Sequence, residues 1–328
     1  MPCLSIEELR KKLTALFTGA GLGERDTGIL VEIILDAESS GRRTHGLIRV
    51  RPMLAHLATR GHRPGKWLQE DACSALYDSL GGLGYLTSHA CAAKAIELLS
   101  KSPFAVVGAC GATHTGPIGY FARMLAQKGY IGILFANCSP MAAPFGAKEP
   151  VLGTNPITIG LPFEPEPIIV DLATTATTYG ECRVAIAEGR MLPQGAALDS
   201  RGNQTTDPRE ALAGGCLLPF AAHKGYALAL AVQILSSALT GASAVPEPAT
   251  DYALSVIALR RDILVRAGRY DSITGNVLRA VKAAAPAVPG EPVLIPGERS
   301  ASNRQRARRE GIEITDQLYE ELFGQDPV

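Results

Sequence analysis

Charge of one sign is what this chain lacks first. Its 32 basic residues balance 32 acidic ones, so no net field draws it to nucleic acid or an anionic membrane. Cysteine pairing is missing too. The seven cysteines are odd in number and scattered singly, with no C-x-x-C and no metal-spaced histidine pair. That argues against a disulfide framework or a structural zinc site and predicts reduced, mostly buried thiols in a cytoplasmic protein. The N-terminus carries no basic stretch followed by an apolar one, so no secretion signal is expected. Several nucleotide and catalytic signatures are absent. Gly82-Leu83-Gly84 lacks the third glycine of a Rossmann fingerprint. Gly111 to Gly116 has Walker A spacing, yet Pro117-Ile118 follows where Lys and Ser or Thr are needed. There is no H-E-x-x-H and no G-x-S-x-G.

Long apolar runs are nearly absent as well. The longest, Gly225 to Ala242, contains Gln233, Ser236 and Ser237 and is entered by His223-Lys224. About 20 apolar residues are needed to span a bilayer, so this stretch predicts a helix buried in a large core. With 46% hydrophobic and 20% charged residues, the rest reads as an ordinary globular protein rather than a disordered one.

What is present begins with helices. Ser5 and Glu8 form a capping box before the apolar face Leu9, Leu13, Leu16 and Phe17. A second helix is predicted from about Arg25 to Ser40, stopped by Gly41, and a third contains Met53, Leu54 and Leu57. After Pro64, β-branched runs alternate with amphipathic segments. Phe104–Gly108, Ile131–Asn137, Pro156–Leu161 and Ile168–Leu172 read as strands, Pro117–Gln127 as a helix, and Leu254–Leu259 as a late strand rejoining the sheet. This alternation argues for an α/β layer structure. The tail from Ala301 to Leu322 reads as helical again.

Chemistry concentrates in Thr44-His45-Gly46-Leu47-Ile48-Arg49, where a hydroxyl, an imidazole and a guanidinium fall within six residues. Such a set can relay a proton, deliver it and hold a carboxylate. Further along come Gly111-Ala112-Thr113-His114-Thr115-Gly116, Gly153-Thr154-Asn155-Pro156, Asp171-Leu172-Ala173-Thr174, His223-Lys224-Gly225-Tyr226 and Pro296-Gly297-Glu298-Arg299.

Taken in this order, the six motifs resemble the malate/L-lactate dehydrogenase family that lacks a Rossmann fold, over nearly the whole chain from Leu4 to Leu322, with a short spot around Ser243–Asp251. The resemblance implies an α/β fold with a mixed-sheet cofactor-binding domain over 63–299. A helical domain would be built from both termini, residues 1–62 joined by a C-terminal helix over 300–328. It also implies a homodimer binding NAD(H) or NADP(H) and a small carboxylate substrate; the basic residues after Pro296 favour NADPH, with NADH possible. Within the family, the segment Leu217 to Gly225, the segment Gln204 to Pro208 and the acid Glu181 look most like the reductases of 1-pyrroline-2-carboxylate and 1-piperideine-2-carboxylate. Thr44 stands where those reductases have Ser, Glu181 where they have Asp, and His114-Thr115-Gly116 looks more like the ureidoglycolate branch.

Carried onto this chain, the resemblance makes His45 the proton donor, and a pKa near neutrality suits an imidazole to that work. The bland alternative is a solvent-exposed loop histidine. Thr44 would orient or recharge the ring with Glu181 behind it; otherwise Thr44 is a helix N-cap and Glu181 a surface acid. Arg49, favoured over Arg51, would clamp the substrate carboxylate, with Thr154 as a second contact or merely part of a tight turn. Cofactor contacts are expected from His114, Thr115 and Gly116, from Asp171, Leu172 and Ala173, from His223 and Lys224 at a helix start, and from Pro296, Gly297, Glu298 and Arg299 at the adenosine end. His114 has a rival role as a second acid/base histidine. The arginines from Arg304 to Arg309 read as a solvated face rather than a nucleic-acid patch, and no metal is expected. The leading expectation is reduction of a cyclic imine 2-carboxylate. The alternative is a 2-oxo acid/2-hydroxy acid dehydrogenase.

Overall fold

A computed structural model describes residues 2–246 and 250–324. The chain opens with the expected capping box: the Ser5 N–H donates to the Glu8 carboxylate at 2.8 Å, and the Ser5 hydroxyl accepts the Glu8 N–H. The helix Ile6–Gly19 that follows buries Leu9, Leu13 and Phe17. It packs on Glu24–Ser39, whose buried side carries Leu30, Ile33 and Ile34. Gly41 then turns the backbone with φ +84, a conformation that glycine adopts without penalty. Two short 3-10 turns, Arg43–His45 and Leu47–Arg49, lead into the helix Val50–Arg60.

A seven-stranded mixed sheet forms the centre. Its order is Lys66–Glu70, Ser74–Asp78, Phe104–Ala112, Tyr252–Arg260, Tyr130–Ala136, Ile157–Leu161 and Ile168–Leu172. Only Ser74–Asp78 with Phe104–Ala112 is a parallel pair, joined by the crossover helix Gly84–Leu99; the other neighbours are antiparallel. The late strand enters between Phe104–Ala112 and Tyr130–Ala136, and every residue from Tyr252 to Val256 is buried. One continuous apolar core joins this sheet to the terminal helices, from Leu9 and Leu13 through Val107 and Leu134 to Ile312 and Leu322. The segment between Ala142 and Leu217 keeps a smaller core of its own around Cys182, Ala185 and Ala197.

The first strand and the C-terminal region meet. Cys3–Leu4 pairs with Ile312–Glu313, and Asn303 donates to the Ser40 carbonyl. The single C-terminal helix expected over 300–328 is corrected here to two helices, Glu298–Glu310 and Asp316–Phe323. The strand Ile312–Glu313 separates them because Gly311 turns at φ +83 and Thr315 caps the second helix through the Leu318 N–H. Residues 325–328 of that expectation, like 247–249 of the Ser243–Asp251 stretch, lie outside the described residues.

The long apolar segment is also corrected. It forms the helix His223–Thr240, but the face turned inward carries Gln233, Ser236, Ser237 and Thr240. Leu230, Ile234 and Leu239 stay exposed, at 41%, 54% and 54%. The inward polar groups bond to one another and to the sheet, as in Asn137 to Ser237 at 2.8 Å. That network decides which face packs. Among the described residues, no helix is long and apolar enough to cross a membrane.

Candidate active site

Two adjoining cavities share Arg42, Pro117 and Asp171. The first, of about 470 Å³, lies beneath the Arg43–Arg49 turns and is lined by Thr44, His45, Arg49, His114, Thr154 and Ala173 among others. The second, of about 390 Å³, runs on between Asp36, Arg123, Pro296, Gly297, Arg299 and Arg304. Together they make one groove, with a group of chemistry-bearing side chains in one part and a loop of the C-terminal region in the other.

The geometry around His45 explains what its loop is for. The Thr44 hydroxyl lies 2.9 Å from His45 Nδ1, which leaves Nε2 as the nitrogen free for a reacting group. Thr44 makes no helix-capping bond, so its bond to the imidazole takes the place of the capping role considered for it. The His45 ring centroid is 5.3 Å from that of His114. The Tyr85 hydroxyl donates to the His45 carbonyl at 2.8 Å. Burial, then the charges of Arg49 and Arg42, lower the His45 pKa to about 3. His114 is pushed well below the ordinary value by burial, Arg49 and His45. Both rings are therefore neutral near pH 7, and His114 Nδ1 is buried with no hydrogen-bond partner among the described residues.

Arg49 is anchored through its Nε to the Thr44 carbonyl at 2.7 Å, so its outer nitrogens remain for a ligand. Arg51 bonds to the Glu321 carbonyl on the C-terminal helix and does not line the cavity. Thr154 faces the cavity beside Cys138, with its hydroxyl 3.5 Å from Sγ. Its loop is pinned from behind: Asn155 Nδ2 donates to the Ala229 carbonyl and, at 2.8 Å, to Gln233 Oε1.

Asp171 stands where the cavities join. It accepts from the Thr158 hydroxyl at 2.6 Å and pairs with Arg42 at 3.0 Å. Beside it, the helix Ile118–Gln127 begins without a side-chain cap, leaving amide donors for an anion. Gly116 and Gly119 keep the floor open: a Cβ at Gly116 would meet Tyr85 at 2.7 Å, and one at Gly119 would meet the Asp171 carboxylate at 2.7 Å. Leu172 lines the second cavity and Ala173 the first. These donors and small residues fit a dinucleotide: the His45 cavity would hold the flat ring, and the Ile118 helix start would hold its phosphates. Ile169 donates to the Pro296 carbonyl and so ties the Pro296–Arg299 loop over the far end.

Several expected residues lie elsewhere. The Glu181 carboxylate pairs with Arg190 at 2.9 Å. It lines a separate cavity with Met191 and Leu192, because the N-cap Thr178 starts its helix and aims it away from the imidazole. Its neighbour Gly180 lies against Thr44, where a Cβ would come within 2.5 Å of Thr44 Cγ2. His223 and Lys224 line neither cavity and are exposed; His223 pairs its ring with Phe145. Thr115 is buried and gives its carbonyl to Ser88. Glu298 braces its own loop through Lys282 and the Ile295 N–H.

Other cavity residues went unmarked in the sequence. Arg42 is two positions from Thr44 and signalled its presence by that alone. Tyr85, Cys138 and Tyr252 come from distant segments and gave no signal. Glu38 is buried on the inner side of its helix, an unusual place for an acid, and that was the one available sign.

Known proteins resemble this chain in sequence and in fold. A family model described as malate/L-lactate dehydrogenase matches residues 4–323. The L-sulfolactate dehydrogenase of Methanothermobacter thermautotrophicus is 32% identical, covering 98% of this chain and 95% of its own. A Delta(1)-pyrroline-2-carboxylate/Delta(1)-piperideine-2-carboxylate reductase of Pseudomonas putida is 29% identical, covering 96% and 94%. The solved sulfolactate dehydrogenase of Methanocaldococcus jannaschii superposes with a TM-score of 0.88 at 31% identity, covering 98% of this chain and 95% of its own. With its mixed sheet and this match over residues 4–323, the chain belongs to the malate/L-lactate dehydrogenase family, an oxidoreductase family.

Proposed function

We propose that this protein is a nicotinamide-dependent dehydrogenase that interconverts a small 2-hydroxy acid and its 2-oxo acid. One observation carries the choice: two neutral imidazoles share the cavity, while the Glu181 carboxylate is spent on Arg190. Imine reduction needs a proton donor strong enough to keep the substrate nitrogen charged, and the acid assigned to that task is not beside His45. A neutral imidazole suits a hydroxyl instead, taking its proton as the alcohol is oxidised.

In this reading Arg49 holds the substrate carboxylate and Thr154 flanks it. His45 Nε2 faces the hydroxyl at C2. Thr44 can donate to Nδ1 or accept from it, because a hydroxyl does both. The imidazole can therefore present Nε2 as base in oxidation or as N–H donor in reduction. The bound nicotinamide supplies the hydride acceptor or donor for the same carbon. Both rings are half-buried in the cavity wall, and the nearby Arg49 charge stabilises the developing oxyanion. His114 serves this reading as a cofactor contact or as a second proton acceptor, and its unpartnered Nδ1 suits either.

NADPH is the cofactor proposed, with NADH as the alternative. Cytoplasmic location is proposed on the seven unpaired thiols. A homodimer is proposed on the exposed apolar face of the helix His223–Thr240 and on Leu264, which is 91% exposed. The purified protein is tested by nicotinamide absorbance with malate, sulfolactate, lactate, oxaloacetate, pyruvate and the two cyclic imines in parallel. The reading expects a hydroxy acid or oxo acid to turn over fastest. A cyclic imine turning over far faster would restore the imine reading, which the Pseudomonas putida relative keeps in view.

A further inference from the structure

The second cavity carries more positive charge than its own acids neutralise. Four guanidinium groups line it, from Arg42, Arg123, Arg299 and Arg304, against the carboxylates of Asp36 and Asp171 alone. Arg42 is taken by Asp171 and Arg123 by Asp36. Arg304 is left over. Its side chain is only 13% exposed, and its nearest acid oxygens, on Asp36 and Glu166, lie at 3.9 and 4.0 Å. It makes no hydrogen bond among the described residues. Burial, followed by the charge of Arg123, opposes its protonated state. A guanidinium removed from water without acceptors is a costly arrangement, and such cost is characteristically offset by a bound anion. Arg299, exposed at the rim, adds a cation with no ion pair among the described residues.

The place of this surplus gives it a meaning. In the dinucleotide reading above, on which this inference rests, the His45 cavity takes the nicotinamide and the Pro296–Arg299 loop covers the adenosine. We propose that Arg304, assisted by Arg299, is the receptor for a phosphate monoester on the adenosine ribose, so that the chain selects the 2′-phosphorylated dinucleotide. A planar guanidinium fork matches two phosphate oxygens at once. Asp36 sets the discrimination: bonded to Arg123, it faces the same pocket and disfavours an anion unless Arg304 outweighs it. An unphosphorylated ribose would leave Arg304 as it now stands, desolvated and without acceptors. The competing role is architectural, with Arg304 merely fastening the helix Glu298–Glu310 to the helix Glu24–Ser39 through Asp36.

The two roles separate in a binding experiment that needs no turnover. Adenosine 2′,5′-bisphosphate and adenosine 5′-monophosphate are titrated calorimetrically into the full-length protein, with thermal midpoints recorded for each variant. The expected result is about tenfold or more tighter binding of the bisphosphate, which corresponds to roughly 1.4 kcal/mol. Arg304→Gln removes that advantage and leaves the monophosphate affinity as it was. Arg304→Lys, which keeps the charge without the fork, retains part of it and guards against a Gln variant that does not fold. Equal wild-type affinities for the two nucleotides overturn the proposal. So does an Arg304→Gln variant that keeps the full advantage, or one that loses only thermal stability. If neither nucleotide binds, and NADPH and NADH fail as well, the dinucleotide reading itself falls and takes this proposal with it.

Discussion

The Glu38 carboxylate accepts the Leu47 backbone N–H at 2.8 Å, tying the end of one helix to the loop that carries His45 and Arg49. The acid is buried, and burial raises its pKa while the Leu47 bond and the more distant Arg43 lower it. Its Oε2 would lie only 2.1 Å from a Cβ at Gly46. The loop therefore takes its shape from this contact, and Gly46 is needed because any side chain there would displace the carboxylate.

A first prediction follows from that contact. Glu38→Ala leaves the Leu47 N–H buried without an acceptor and opens space beneath the loop. It should cost about 1–3 kcal/mol of stability and lower kcat more than it weakens cofactor binding. Glu38→Gln keeps an acceptor oxygen and should recover most of the rate. Equal loss in both variants, measured by steady-state kinetics beside urea unfolding, would assign Glu38 a chemical role rather than a positioning one.

His45 carries the second. His45→Ala should lose about 10²- to 10⁴-fold in kcat while NADPH binding, followed by nicotinamide fluorescence, stays near wild type. Thr44→Val should lose less and Thr44→Ser almost nothing, because the Ser hydroxyl can still reach Nδ1. Undiminished turnover in His45→Ala would remove it from the mechanism and pass the proton to His114.

Acid should destabilise the protein through the same two rings. His45 titrates near 3 in the folded chain and His114 well below 6.5, whereas both imidazoles of the unfolded chain bind protons near pH 6.5. The unfolded state thus holds more protons in that window. Stability is complete above about pH 6.5 and falls as the pH drops towards 3. Glu38 works the other way, since a raised carboxyl pKa favours the folded state on acidification, but His56 and His89, also held below the ordinary imidazole value chiefly by burial, add to the decline. Urea midpoints measured from about pH 7 to about pH 5 should decline, and His114→Asn should flatten the decline. A wild-type profile that is already flat would mean that the rings are hydrated and protonated in the fold.

The helix His223–Thr240 supplies a fourth. Ile234→Asp places a charge in the middle of its exposed apolar face, where a second copy is proposed to sit. Sedimentation should show a dimer for the wild type and a monomer for the variant, because an unpaired buried charge is strongly disfavoured at an interface. A wild-type monomer at micromolar concentration would rule the dimer out.

The sequence by itself determined the local devices and the family. Ser5 with Glu8, Gly41 after its helix, and the β-branched runs at 131–137 and 157–161 are short-range signals, and each produced its element within a few residues. The Thr44–Arg49 cluster was legible because its groups are neighbours in the chain. Tertiary structure decided everything that depends on direction. Whether the apolar or the polar face of the helix at 223–240 packs inward was settled by Asn137, Asn155 and Ser255, which reach it from the loops and sheet. Glu181 faces Arg190 rather than His45 because a helix start rotates successive side chains by about 100°, so the acid beside Gly180 turns away from Thr44. Arg304, read from sequence as one of a solvated row, became a nearly buried cation only when its helix crossed Asp36. Hydrophobic pattern and caps act over a few residues and are written locally; burial of a charge arises where distant segments meet, and no window of sequence contains both partners.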